Sequence, residues 1–222
     1  MDLTLNHVEV RVLGSLIEKE ITTPEYYPLT LNALTSACNQ KNNREPVLAL
    51  EETTIVRAIE SLREKHLVTT VTGAGLRVPK YRQVFAEALT LTPQEIAVLS
   101  LLMLRGPQTI GELRGRCSPM FSFESLEATQ AVVDGLSANE HRPPLARKLP
   151  RQAGQKEVRF SHLLSGEPAT ASVEDTTSPE KARLVVLAEN ERIAALEKEV
   201  KKLRGTIEAL GKQFAEFKKQ FE

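Results

Sequence analysis

The chain has 222 residues, room for two domains of about 80 residues each and one further segment. Its 29 Lys and Arg residues balance its 29 Asp and Glu residues, so no overall charge favours nucleic acid or an anionic membrane. With only two cysteines, the chain does not read as a disulfide scaffold. It shows no signal-peptide pattern and no apolar run long enough to span a membrane, so we expect a cytoplasmic protein.

One stretch occurs twice in the sequence: residues 3–16 align with residues 89–102, which lie 86 positions further on. The apolar positions coincide, and each copy opens with an N-cap residue, Asn6 or Thr92, followed three positions later by a glutamate. That combination is the capping box of a helix start. The similarity continues through two more helices, with an insertion at residues 22–28 of the first copy, so two copies of one small domain are predicted.

The first copy is expected to form three helices and a β-hairpin. The helices are predicted at residues 6–20, 29–40 and 53–65, and the strands at residues 67–71 and 77–82, on either side of a glycine turn. Prolines and tyrosines in residues 22–28 indicate a fixed loop packed on the surface. Three helices closed by a hairpin are typical of the winged-helix fold, a helix-turn-helix core with a hairpin wing.

The second copy repeats this order. Its first helix is predicted to end at Arg105, with Gly106 as the residue that stops it. The other helices are predicted at residues 109–116 and 125–138, and a longer hairpin at residues 145–151 and 156–164. We therefore predict a mainly α fold with small β-hairpins (α+β), built from two tandem winged-helix domains at residues 1–88 and 89–165.

Two further segments are predicted beyond the repeats. Residues 166–178, rich in Ser, Thr, Ala, Pro and acidic residues, are expected to be a linker, and residues 179–222 a coiled-coil helix. β-Branched residues at heptad position a with leucine at d favour a parallel two-stranded coil, so we expect a homodimer. The predicted dimer seam comprises Val186, Ile193, Leu196, Val200, Leu203, Ile207, Leu210, Phe214 and Phe217. The alternative is that this helix folds back onto its own domains.

Residues 27–47, YPLTLNALTSACNQKNNREPV, and residues 104–116, LRGPQTIGELRGR, closely resemble the YceH family of bacterial proteins. The resemblance covers the chain from residue 1 to residue 165. It implies a tandem winged-helix fold. Because the family has no established function, the resemblance implies no substrate, ligand or catalytic residue, and functional residues have to be argued from the sequence itself.

Residues capable of catalysis or metal binding are scattered. The four histidines lie at helix starts, a helix end and a hairpin, and none has a Cys, Asp or Glu at metal-ligand spacing. Cys38 and Cys117 each end the second helix of their repeat, which is typical of a small buried apolar side chain. We therefore expect no enzymatic activity, no metal and no cofactor.

Double-stranded DNA is the usual partner of a winged helix, whose third helix enters the major groove while the wing contacts phosphate. Candidate contacts in the first copy lie on helix three and the hairpin: Thr54, Arg57, Ser61, Arg77, Lys80 and Arg82. The second hairpin adds Arg142, Arg147, Lys148, Arg151, Lys156 and Arg159. Along a strand, Arg147 and Arg151 are expected on one face and Lys148 on the other. The alternative for this cluster is a hairpin that charge merely keeps soluble.

Acidic residues weigh against DNA. They lie on or beside both predicted third helices: Glu51, Glu52, Glu60, Glu64, Glu124, Glu127 and Asp134. Together with the zero net charge, they favour a second hypothesis, a non-enzymatic module that binds a protein partner through its winged-helix faces and coil. In the turn at residues 41–45 the asparagines are expected to satisfy backbone groups, whereas Lys41 and Arg44 stay open for phosphate or a protein. A dimeric DNA-binding regulator is the first hypothesis.

Overall fold

The computed structural model describes residues 3–73, 77–139, 142–151 and 157–166, all of which belong to one compact unit. The predicted coiled-coil helix, residues 179–222, lies outside the described residues, together with its whole dimer seam from Val186 to Phe217. Lys156 and the predicted linker beyond Gly166 lie outside them as well. The coil, the linker and the homodimer therefore stay predictions.

The described elements are helices and small antiparallel sheets, in an order that repeats once. The first half comprises α1 (His7–Thr22), a 3-10 turn (Pro24–Tyr26), β1 (Leu29–Thr30), α2 (Leu31–Cys38), α3 (Glu52–Glu64), β2 (Val68–Val71) and β3 (Lys80–Gln83). The short helix α4 (Phe85–Ala88) leads to α5 (Pro93–Arg105), α6 (Ile110–Cys117), α7 (Leu126–Ser137), β4 (Ala146–Lys148) and β5 (Phe160–His162). No helix within these ranges has the length and apolar character needed to cross a membrane.

The helix ends follow the sequence signals. Asn6 Oδ1 accepts a hydrogen bond from the N–H of Glu9 at 3.0 Å, and Glu9 Oε2 accepts one from the N–H of Asn6 at 2.8 Å. Thr92 and Glu95 make the same reciprocal bonds at the start of α5. Gly106, at φ 68°, follows the last residue of α5. Both capping boxes and the stop at Gly106 are thus confirmed.

The first sheet contains a strand that the sequence did not predict. β3 lies between β1 and β2, with Leu29 opposite Tyr81. We expected one helix over residues 29–40, but Thr30 has extended backbone and is the N-cap of α2, where its hydroxyl accepts a bond from the N–H of Ala33 at 3.3 Å. Helix α2 therefore begins after Thr30, and the residues before it pair with β3.

The loop of residues 22–28 is packed, as predicted. Tyr27 Oη accepts a hydrogen bond from the N–H of Gln83 at 2.7 Å, so the loop is fixed to the end of β3. Tyr26, in contrast, has 71% of its surface exposed. The insertion is therefore attached to the sheet at Tyr27 and exposed at Tyr26.

The second hairpin is shorter than predicted. β4 and β5 hold three residues each, whereas the sequence pattern predicted strands over residues 145–151 and 156–164. The N–H of Leu149 still donates to the carbonyl of Arg159 at 2.8 Å. Pro150 then follows, and because proline has no N–H it cannot extend the ladder.

The first helices of the two halves, α1 and α5, cross within one shared core. At the crossing, Ser100 Oγ donates to the carbonyl oxygen of Gly14 at 3.3 Å, and Ser100 lies 86 residues after Gly14, which is the repeat offset. A Cβ atom added at Gly14 would lie 3.1 Å from Met103 Cβ and from the Leu104 side chain. The missing side chain at Gly14 therefore lets the helices approach closely, and the two predicted domains pack through this contact.

Candidate functional site

The second hairpin borders an open groove of about 880 Å³, which we call the α7 groove. Its apolar lining comprises Ile110, Leu126, Ala131, Val158 and Phe160. Helix α7 contributes the acidic residues Glu127 and Asp134, and the hairpin contributes Lys148, Arg151 and Glu157. The groove therefore combines an apolar lining with carboxylates on its helix side and both cations and one carboxylate on its hairpin side.

Lys148 and Arg151 line the same groove, which corrects the prediction that they face opposite sides of a strand. The alternation rule holds only while the chain stays in a strand. β4 ends at Lys148 and Pro150 follows, so the alternation does not reach Arg151. Arg147, opposite Ser161 on β5, is exposed. Two of the predicted phosphate contacts are thus brought together.

Arg142 is turned inward. It pairs with Glu95, the capping-box carboxylate of α5, and only 9% of its side chain is exposed. Burial alone would raise the pKa of Glu95, but the bonds from Arg142 and Thr92 outweigh burial and lower it. Arg142 therefore stabilises the start of α5. Contrary to the prediction, it is not available to a phosphate group.

Arg159 is also engaged within the second half. Its Nη1 donates to the carbonyl of Pro107 at 2.7 Å and to Glu112 Oε2 at 3.1 Å. Glu112 in turn closes the capping box of α6, where its carboxylate accepts from the N–H of Thr109 at 2.9 Å. The predicted phosphate contact of Arg159 thus competes with an ion pair that fixes α6 to the hairpin.

In the first half, Ser61 lies against α1 rather than on the exposed face of α3. Its Oγ donates to Glu9 Oε1 at 2.5 Å, and Lys65 Nζ donates to Glu9 Oε2 at 2.8 Å. Burial would raise the pKa of Glu9, but the bonds from Lys65 and Ser61 outweigh it and lower that pKa. The expected placement of Ser61 on the outward face of α3 is therefore corrected, because the flank of α3 that carries it packs on α1. Thr54 is half-buried and Arg57 is exposed.

The first hairpin presents its predicted cations unevenly. Arg82 donates to Glu87 at 2.7 Å, in an ion pair whose carboxylate is 68% exposed. Arg77 is exposed and Lys80 half-buried, and neither pairs with a carboxylate in the described part of the chain. Val78, between them, has 52% of its surface exposed. Arg77 and Lys80 thus stay accessible to a partner.

The turn at residues 41–45 is held by a buried arginine. Arg44 Nη1 and Nη2 donate to the two carboxylate oxygens of Glu18 at 3.0 and 2.6 Å, and Nη2 also donates to the carbonyl of Ala37 at 2.9 Å. The Arg44 side chain is 0% exposed, so its role is structural. Asn43 accepts from the guanidinium of Arg105 instead of a backbone group, which corrects the expectation for this asparagine. Lys41 is exposed.

A second buried arginine, Arg11 on α1, also holds the segment that follows α2. It donates to the carbonyls of Cys38 at 3.1 Å and Pro46 at 2.6 Å. Sequence reasoning missed both Arg11 and Glu18. Helix α1 is buried on every side from Glu9 to Glu18, and a charged residue in such a helix requires an internal partner. The sequence did contain one indication of these residues: charged residues lie beside the apolar stripe of α1, and a buried helix would have to pair them internally.

Burial favours the uncharged form of both cysteines and of His162. Burial raises the pKa of the Cys38 thiol to about 11 and that of the Cys117 thiol to about 12. Burial lowers the pKa of His162 to about 4, and its Nδ1 has no hydrogen-bond partner among the described residues. Within the same residues, no group of three His, Cys, Asp or Glu side chains could hold a metal ion.

The sequence matches one family model over residues 5–155, described as a protein of unknown function, DUF480. A UPF0502 protein of Geobacter sulfurreducens is 55% identical over 222 residues, which cover 100% of both chains. One from Geotalea daltonii is 57% identical over the same length. A more distant UPF0502 protein, from Photobacterium profundum, is 42% identical over 95% of this chain and 96% of its own length.

Proposed function

The chain belongs to the DUF480 family, whose UPF0502 members match the YceH resemblance of the sequence, and we propose that it is a tandem winged-helix protein that binds double-stranded DNA as a cytoplasmic homodimer. In this proposal α3 and α7 are the third helices of two winged-helix domains. The hairpins β2–β3 and β4–β5 are their wings.

One observation carries the DNA proposal: the two hairpins keep cations without a carboxylate partner in the described chain. These are Arg77 and Lys80 on the first hairpin, and Lys148 and Arg151 on the second. Arg44 and Arg142, which face inward, are in contrast paired with Glu18 and Glu95. Accessible cations that no ion pair already occupies are what a phosphate backbone requires.

The acidic residues of α7 limit how such binding would work. Glu127 and Asp134 would repel phosphate, and Gln130 Nε2 donates to Asp134 Oδ1 at 2.8 Å instead of reaching outward. We therefore propose binding through the wings, dominated by phosphate contacts and weakly dependent on base sequence. Each phosphate contact contributes about 0.9 to the slope of log K against log salt concentration.

The test is fluorescence anisotropy of the purified protein with a random-sequence duplex, titrated at several salt concentrations. The double variant Lys148→Gln/Arg151→Gln is expected to lower the salt slope by about 2 per protomer, because it removes two phosphate contacts. Arg82→Gln is the matched control, since Arg82 already pairs with Glu87 and its loss should change the slope much less. Equal slopes for wild type and the double variant would remove the second wing from the proposal.

The homodimer has its own test, because it rests on the heptad pattern alone. Replacing Leu196 and Leu203 with Asp would bury charges in the seam and should yield a monomer in sedimentation velocity. Lys202→Asp changes the charge outside the seam and should leave the mass unchanged. A dimer that persists in the leucine double variant would contradict the proposed seam.

The α7 groove favours a second candidate function, docking of an amphipathic segment of a partner protein. Leu126 at its edge is 46% exposed, and the apolar lining is flanked by charges of both signs. Apolar contact with a charged rim is typical of protein interfaces. A partner recovered with the wild type after nuclease treatment, but lost with Leu126→Asp, would support this function. Loss of the partner on nuclease treatment alone would contradict it.

A further inference from the structure

Four arginines converge on a pocket of about 430 Å³ where the two halves of the chain meet. The first half supplies residues of the turn at 43–45, and the second half supplies the end of α5, the end of α6 and the residue before β5. The lining comprises Asn43, Arg44, Glu45, Arg105, Pro107, Gln108, Arg116 and Arg159. This pocket is separate from the α7 groove and from the wing cations.

One of the four guanidinium groups is saturated. Both Nη atoms of Arg44 donate hydrogen bonds to Glu18. Its Nε and Nη2 donate to the carbonyl of Ala37, and Nη1 also donates to the carbonyl of Asn43. The Arg44–Glu18 pair is therefore neutral and has no donor left. It forms a fixed wall of the pocket.

The other three guanidinium groups retain donors. Arg105 Nη2 donates to Asn43 Oδ1, while its buried Nε has no partner among the described residues. Arg116 Nη1 donates to Gln108 Oε1. Arg159 uses Nη1 alone, for the carbonyl of Pro107 and for Glu112. A guanidinium carries donors on all three nitrogens, so each of these three arginines has N–H groups still to be satisfied.

Positive charge is in excess at this site. Glu112 is shared between Arg116, at 3.4 Å, and Arg159, at 3.1 Å, and Arg105 has an amide instead of a carboxylate as its partner. Burial first, and then the neighbouring Arg116 guanidinium, lowers the pKa of Arg105 from its ordinary value. Glu45 lines the pocket from the exposed turn and offsets part of this excess. An anion would relieve the repulsion that remains.

We propose that this pocket binds the phosphate group of a small molecule, held by Arg105, Arg116 and Arg159. The planar guanidinium fork matches the oxygen geometry of phosphate, and the volume lies in the range of small-ligand sites, about 300–1,000 Å³. All three arginines belong to the second half of the chain, and the turn at 43–45 of the first half forms the opposite wall of the pocket.

The test uses pyrophosphate and inorganic phosphate as probes, with isothermal titration calorimetry and thermal unfolding of the full chain at constant ionic strength. Pyrophosphate is expected to bind with a dissociation constant well below 1 mM and to raise the melting temperature as its concentration increases. Chloride at matched ionic strength should have little effect, whereas sulfate, which has the same tetrahedral oxygen geometry but less charge, should bind more weakly than pyrophosphate. No heat and no shift with either phosphate probe would overturn the proposal, and binding of citrate alone would replace phosphate with a carboxylate ligand.

Two variants assign the binding to these residues. Arg105→Gln and Arg116→Gln are each expected to weaken pyrophosphate binding by about tenfold or more, because each removes a charged hydrogen-bond donor. Arg57→Gln, an exposed cation outside the pocket lining, is the matched control and should bind as the wild type does. Affinity that falls equally in all three variants, or in none, would overturn the assignment.

The same variants separate this pocket from DNA binding. Lys148→Gln/Arg151→Gln should leave pyrophosphate affinity unchanged, because neither side chain lines the pocket. If Arg105→Gln abolished duplex binding and the wild type did not bind pyrophosphate, the pocket would belong to the DNA backbone, and the small-molecule proposal would be wrong.

Discussion

Replacing Gly14 with alanine tests how closely α1 and α5 must approach. The added Cβ would lie 3.1 Å from Met103 Cβ and from two atoms of the Leu104 side chain. Carbon atoms prefer separations of about 3.5–4.0 Å, so the helices or these side chains would have to move by several tenths of an ångström. Leu104 can rotate, whereas Met103 Cβ is attached to the backbone of α5. The helix crossing itself would therefore have to widen.

Two free-energy terms of opposite sign decide the outcome. Alanine stabilises a helix interior relative to glycine by roughly 0.5–1 kcal/mol. Overpacking a core typically costs about 1–3 kcal/mol. Because Met103 Cβ is attached to the backbone and cannot rotate away within this buried crossing, we expect the second term to exceed the first. Gly14→Ala should lower the free energy of unfolding by about 1 kcal/mol, and Gly14→Val by more.

The matched control is Gly135→Ala on α7, where an added Cβ would meet no atom within 4 Å. This change has only the helix term and should stabilise the protein by about 0.5 kcal/mol. Urea unfolding followed by circular dichroism gives both values from the midpoint, provided that the m-value is unchanged. If Gly14→Ala stabilises the protein as much as Gly135→Ala does, close approach at Gly14 does not limit the crossing and the reasoning is refuted.

Three further predictions concern the buried polar and reactive groups. Glu18→Gln or Arg44→Gln should each destabilise the protein by about 3–5 kcal/mol in urea unfolding, since each leaves a buried charge without its partner; a loss below about 1 kcal/mol would contradict this. Burial lowers the pKa of His162 to about 4 in the folded protein, against an ordinary value of 6.5, so the unfolded chain binds the proton first as pH decreases. Stability is therefore expected to fall between pH 6.5 and pH 4, and His162→Gln should flatten that pH dependence in thermal unfolding. Cys38 and Cys117 should react with a thiol reagent only after unfolding, and rapid labelling of the native protein would show that they are accessible.

Much of the fold could be predicted because its signals are local. The capping boxes at Asn6 and Thr92 and the stop at Gly106 place helix ends through bonds between residues a few positions apart. The strand at residues 29–30 could not be predicted, since two residues carry no periodicity and their pairing with β3 depends on residues far along the chain. The face of Arg151 was missed for a related reason: alternation assumes a strand, and β4 ends at Lys148.

The candidate site was less predictable because charge in a sequence does not reveal its partner. Arg142 and Lys148 read alike in the hairpin sequence, yet the first pairs with Glu95 of α5 and the second lines an open groove. The sequence predicted Ser61 on the exposed face of α3, but its bond to Glu9 places it against α1. The arginine pocket is built from four separate segments, so no stretch of sequence contains it.

The meeting of Gly14 with Ser100 has a consequence for how the two halves could diverge. Corresponding positions of the repeats touch each other, as they do across the two-fold axis of an isologous homodimer. Covalent linkage makes that association intramolecular, so it no longer depends on protein concentration. It also allows the two contacting positions to differ. One position keeps glycine, while the other carries a serine whose hydroxyl bonds to the glycine carbonyl. A symmetric dimer of single repeats would have to carry the same residue on both helices.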